Sequence, residues 1–125
     1  MLVNHLRILP TRFTPEIKLN PNGKILIKGR SMQGDASMFY QQLEDWIDRY
    51  LDSPANITCV DFYMEYLPTN NLKIFVYMLK KLEITRLKNK KLIINWYYES
   101  GDEDILEKGE CLSSLLSMPF NFIKT

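Results

Sequence analysis

Few side chains in this sequence have a type and spacing that could carry chemistry, and each has a plainer reading beside it. The single histidine, His5, could serve as a general base, yet no motif fixes a nucleophile near it and its N-terminal stretch is expected to be mobile. Asp102, Glu103, Asp104, Glu107 and Glu110 could offer oxygen ligands to a hard cation. Their order is not the alternating pattern of an EF-hand loop, and carboxylates in a first helical turn are expected from the helix dipole. Cys59 and Cys111 lie far apart in apolar stretches, without Cys-x-x-Cys or Cys/His spacing, and read as reduced, buried thiols. No glycine-rich phosphate loop is present. Thr69 sits where a strand gives way to a helix, and its hydroxyl is of the kind that caps a helix N-terminus. These readings call for no catalytic residue, no metal and no cofactor; the protein is expected not to be an enzyme.

Composition narrows the field further. A chain of 125 residues, 46% hydrophobic and 25% charged, suits one domain over residues 1–125 with a core of its own. Sixteen basic residues against 15 acidic ones leave a formal charge of +1, which calls for neither nucleic acid nor an anionic membrane as partner. The most basic stretch, Lys80, Lys81, Arg86, Lys88, Lys90 and Lys91, falls at a helix end and the loop beyond it, where cations suit the dipole. The apolar run within Met1–Pro10 is too short to span a membrane and no cleavage site follows it, so a cytoplasmic protein is expected.

Period and punctuation then give the elements that must position these groups. Thr14–Leu19 and Lys24–Lys28 alternate as strands around the turn formers Asn20-Pro21-Asn22-Gly23, making a hairpin. Gly29–Asp35 reads as a loop. A helix follows over about Ala36–Leu51, with Phe39, Leu43, Trp46, Ile47 and Tyr50 on one face and Asp35 able to cap it. Ile57–Tyr66 is a strand with Val60, Phe62, Met64 and Tyr66 on one face. A second helix spans about Asn70–Leu87. Leu92–Tyr98 is so continuously apolar that it reads as a strand covered on both faces. The acidic loop Glu99–Asp104, a third helix and a last strand over Phe120–Lys124 complete the order ββαβαβαβ.

Strand–helix–strand units cross over right-handedly, so the strands they join run parallel. The expected fold is therefore α/β: a mixed, mostly parallel sheet of about five strands flanked by helices. If the second, third and fourth strands are parallel, the loops Gly29–Asp35, Leu67–Asn71 and Glu99–Asp104 converge on one sheet edge. Open α/β sheets bind their partners at that edge.

The same loops carry a resemblance. Thr11-Arg12-Phe13-Thr14-Pro15 resembles the T-x-x-T-P opening of the SiaC family of bacterial regulatory phosphoproteins, and Gly29-Arg30-Ser31 is similar to that family as well. Tyr66 to Lys73 lines up with a Y-x-N-T-S-S-x-K signature, though Pro68-Thr69-Asn70-Asn71 stands where the family shows Asn-Thr-Ser-Ser. Trp96-Tyr97-Tyr98-Glu99, Asp102-Glu103-Asp104, Gly109-Glu110 and Pro119-Phe120 follow in order. The resemblance implies a STAS-like fold of the anti-sigma-factor-antagonist type and a partner-switching role. It implies a diguanylate cyclase as the controlled partner, a GHKL-type kinase that phosphorylates a threonine, and a PP2C-type phosphatase that removes the phosphate; it leaves a homodimer open.

The threonine in the matching position is Thr69. Physical chemistry favours a phosphate there: free N–H groups and the dipole at a helix N-terminus attract an anion, and Lys73 follows one turn later. Arg30, Ser31, Tyr66, Asn70, Asn71, Lys73, Asp102, Glu103 and Asp104 are the residues expected to meet partners around it. A STAS-like sensor of a small ligand, or an interaction module without phosphorylation, is the alternative, and the sensor would need a pocket.

Overall fold

The computed structural model describes residues 3–32 and 36–125. Six strands form one sheet in the order β1 (Leu6–Ile8), β2 (Glu16–Leu19), β3 (Lys24–Arg30), β4 (Ile57–Tyr66), β5 (Lys91–Tyr98), β6 (Asn121–Lys124). The first two pairings are antiparallel and the next three parallel. Helix α1 (Ser37–Tyr50) joins β3 to β4. A 3₁₀ turn (Thr69–Asn71), α2 (Leu72–Leu82) and the short α3 (Ile84–Leu87) join β4 to β5, and α4 (Glu103–Leu116) joins β5 to β6.

Because β3 to β6 advance steadily in one direction, right-handed crossovers place α1, α2 and α4 on the same side of the sheet. Burial follows: Ile25, Ile27, Val60, Phe62, Ile94 and Trp96 face the helices and are at most 2% exposed, while their neighbours along each strand are not buried. This corrects the expectation that Leu92–Tyr98 is covered on both faces. Its outward residues Ile93, Asn95 and Tyr97 are only half-buried. The helices thus flank one face alone.

The core is knit by aromatic rings. Tyr40 meets Phe75 edge-on at 5.6 Å, and Phe62 lies 5.1 Å from both Phe75 and Trp96. Trp46, Leu79 and Leu112 are also fully buried, as expected for their helical stripes. Gly23 makes the hairpin possible: its φ of +105° suits glycine, and a Cβ there would stand 2.1 Å from the Ile57 carbonyl oxygen.

Other departures from the sequence reading have local causes. β1 was hidden in three residues, yet it pairs with β2 and Trp46 donates to the Asn4 carbonyl at 2.6 Å, so the stretch around His5 is tied to the body. Gly29 and Arg30 extend β3 instead of opening a loop, because Arg30 pairs with Tyr66 across a bulge. The helix expected over Asn70–Leu87 divides near Glu83; beyond it the buried Thr85 hydroxyl bonds back to the Leu82 carbonyl at 2.8 Å. Ala36, without a side-chain cap, takes the N-cap position of α1; the expected cap, Asp35, lies outside the described residues.

Candidate functional site

The C-terminal ends of β3, β4 and β5 share one edge, and the polar loops leave from it. Arg30 and Tyr66 end neighbouring strands, and the Ser31 N–H donates to the Tyr66 carbonyl at 3.0 Å. Beneath them is a small polar centre. The Ser31 hydroxyl accepts from the Tyr40 hydroxyl at 2.9 Å and from the Asn71 amide at 2.9 Å. It ties the end of β3, helix α1 and the 3₁₀ turn together. Burial pushes the Tyr40 hydroxyl up to about 12, with the Ser31 contact working weakly the other way.

This geometry divides the expected partner-binding residues. Ser31 is 0% exposed and Asn71 2%, so they hold the loops in place and do not face a partner. That is a correction: in a loop, short polar side chains read as contacts, but these two satisfy each other inside. Arg30, Tyr66, Thr69, Asn70 and Lys73 remain exposed around them.

Thr69 departs from the capping reading. Pro68 occupies the N-cap position with extended dihedrals, and Thr69 is the first residue of the 3₁₀ turn, making no cap bond. Its hydroxyl is exposed, with no side-chain partner among the described residues. Lys73, four residues on along the same helical run, is exposed and joins no ion pair among the described residues.

The acidic loop is organised differently. Asp102 caps α4 by accepting from the Ile105 N–H at 3.2 Å, so its carboxylate is partly committed to structure. Glu103 and Asp104 are exposed in the first turn. Lys108 pairs with Asp104 at 3.0 Å and donates to the Leu67 carbonyl, linking α4 to the loop that carries Thr69. The i,i+4 spacing of Lys108 to Asp104 is visible in the sequence, but the contact that links α4 to that loop is to a backbone oxygen 41 residues away.

Several motif residues prove to be packing devices. Gly109 lies on the Trp96 ring, and a Cβ there would come within 2.5 Å of it, while Trp96 donates to the Ile105 carbonyl at 2.9 Å. Thr11 folds its segment into a turn, its hydroxyl accepting from the Phe13 and Thr14 N–H groups at 3.1 and 2.9 Å. The Met32 N–H then donates to the Phe13 carbonyl at 2.9 Å, bringing that turn to the end of β3.

Among the described residues no group of three or more His, Cys, Asp or Glu side chains could hold a metal ion, and no helix is long and apolar enough to cross a membrane. Both cysteines are free; Cys59 is half-buried, but Cys111 is exposed, contrary to the expectation of two buried thiols.

Comparison with known proteins agrees with this architecture. The description "SiaC family regulatory phosphoprotein" matches residues 8–125. An uncharacterized protein of Pseudomonas aeruginosa (strain UCBPP-PA14) is 25% identical over 119 residues, 94% of each chain. Apo-SiaC from Pseudomonas aeruginosa superposes with a TM-score of 0.82 at 24% identity, over 95% of this chain and 98% of that one. The crystal structure of the diguanylate cyclase SiaD with its activator SiaC, from the same organism, contains a chain that matches with a TM-score of 0.85 and 25% identity, over 96% and 99% of the two chains. With the family description covering nearly all of it, this chain belongs to the SiaC family of regulatory phosphoproteins.

Proposed function

We propose that this protein binds a diguanylate cyclase and controls it, and that phosphorylation of Thr69 selects between bound and free states. A GHKL-type kinase adds the phosphate and a PP2C-type phosphatase removes it, in the cytoplasm, where two free cysteines are at home. The protein acts by binding and does no chemistry of its own.

The observation that carries this reading is the environment of Thr69: an exposed hydroxyl that no cap bond consumes, at the start of a helical run, with an exposed Lys73 one turn away. A phosphate there adds about −1.5 to −2 charges. The first-turn N–H groups and Lys73 would receive it. Arg30 and Tyr66 at the ends of β3 and β4, and Glu103 and Asp104 beyond β5, complete the rim that a partner would touch. Adding a dianion to that rim changes its sign locally, which is how one surface can accept a partner and then refuse it.

The test is phosphosite mapping on protein from host cells, followed by pull-downs. Thr69→Ala should hold the cyclase permanently, and Thr69→Asp should hold it less well, a single carboxylate being a weak copy of phosphate. Modification of another residue, or equal capture by wild type and both variants, would sink the proposal.

A further inference from the structure

The face of the sheet without helices plays no part in the Thr69 reading, and its side chains are ordered in rows. The register places Arg7, Lys18, Leu26, Asp61, Asn95 and Asn121 side by side, one from each strand. Glu16, Lys28, Tyr63, Tyr97 and Ile123 form the next row. On the β4–β6 half the polar groups satisfy one another: Asn95 donates to Asp61 at 2.8 Å and Asn121 to Asn95 at 2.9 Å. Tyr63 and Tyr97 stack there at 3.9 Å.

The β2–β3 half differs. Lys18 lies directly across from Leu26, and Lys24 and Lys28 flank it two residues to either side. The three lysines line a cavity of about 500 Å³ together with His5, Asp61 and Tyr63. Lys24 and Lys28 meet no carboxylate among the described residues, and Lys18 reaches only Glu16, at 3.7 Å, which Arg7 already holds at 3.0 Å. The lining thus sets three lysines against one carboxylate, Asp61, which accepts from the neutral Asn95 amide and keeps its charge. Positive charge therefore converges on a concave, apolar floor, the arrangement that draws in an anion.

The size and spacing narrow the occupant. The volume falls within the roughly 300–1,000 Å³ of small-ligand sites. Lys24 and Lys28, four residues apart on one strand, are separated by about 13 Å at their backbones, a span for one compact molecule with charged and apolar parts. A second copy of the chain would set lysine against lysine. A nucleic-acid base finds no platform, since the faces of the Tyr63 ring are taken by Tyr97 and by Lys28, 5.5 Å from its centroid.

We propose that the uncovered sheet face over β2, β3 and β4 is a binding site for a phosphorylated small molecule, with Lys18, Lys24 and Lys28 on its phosphates and Leu26 under its apolar part. The site is separate from Thr69, so either assignment can fail alone.

Amide NMR titration of the full chain with ATP, with adenosine and with a hexaglutamate peptide tests it. ATP should move the amides of Lys24–Lys28 and Asp61–Tyr63, while adenosine leaves them in place. Lys24→Glu combined with Lys28→Glu should weaken ATP at least tenfold, and Lys28→Gln alone should weaken it less, with the remaining spectrum unchanged in both. Thr69→Ala should bind ATP as wild type does. The site is overturned if ATP moves nothing there, if the charge variants bind it equally well, or if hexaglutamate binds the same residues more tightly than ATP.

Discussion

On the helix side of the sheet, Val60, Phe62, Ile94 and Trp96 are packed under α2 and α4 with hardly any exposed area; on the other side, their strand neighbours Asp61, Tyr63, Asn95 and Tyr97 reach solvent and bind one another. The difference lies in what a substitution would disturb. Below the sheet, a change in volume is felt because the space is filled. Above it, and along the loop edge, a change alters charge and recognition while the fold stands. Two tyrosines show the contrast in one property. The hydroxyls of Tyr40 and Tyr97 are both pushed up to about 12, Tyr40 mainly by burial and Tyr97 mainly by its hydrogen bond with Tyr63.

Four predicted effects sharpen that contrast. Phe75→Ala should cost the most, about 3–5 kcal/mol on denaturant titration, because the ring is fully buried between Tyr40 and Phe62. A loss below about 1 kcal/mol would show that the helix side is not the core. Gly109→Ala comes next, at about 1–3 kcal/mol, since the new methyl meets a Trp96 ring that its own hydrogen bond holds in place. Wild-type stability after this change would mean that α4 can slide on β5.

Alkaline pH gives a third, graded effect. The folded-state value of Tyr40 is raised, so the stability it contributes is complete below its ordinary value of 10 and is lost as pH climbs from 10 towards 12. The full loss is on the order of 2–3 kcal/mol for two pKa units. Tyr40→Phe should remove that part of the pH dependence, at the cost of one donor to Ser31. Tyr97→Phe leaves Tyr40, and with it this share of the pH dependence, in place. An unchanged loss between pH 10 and 12 in Tyr40→Phe would show that burial does not raise this hydroxyl. Smallest of all, Thr69→Ala should change stability by no more than about 0.5 kcal/mol, because no cap bond is lost.

What was legible in the sequence follows the same division. Alternation in Lys24–Lys28 and Ile57–Tyr66, and the apolar stripe of α1, marked the covered face, because packing imposes a period. The shared edge followed from right-handed crossovers alone. The one-sided layering was missed because Ile93 and Tyr97 look like core residues in LIINWYY, although the sheet leaves them outside. At the site, Thr69 and Lys73 could be singled out, whereas the inward turn of Ser31 and Asn71 could not. Their hydrogen bond spans 40 residues, and no local pattern encodes a contact of that range. Lys108 escaped for the same reason.

The central claim is that a phosphate on Thr69 decides whether the cyclase is held. Calorimetric titration of the cyclase with unmodified protein and with protein phosphorylated at Thr69 alone tests it most directly. The account predicts affinities at least tenfold apart, about 1.4 kcal/mol or more, with the unmodified form binding tighter. Equal affinities for the two forms would contradict it.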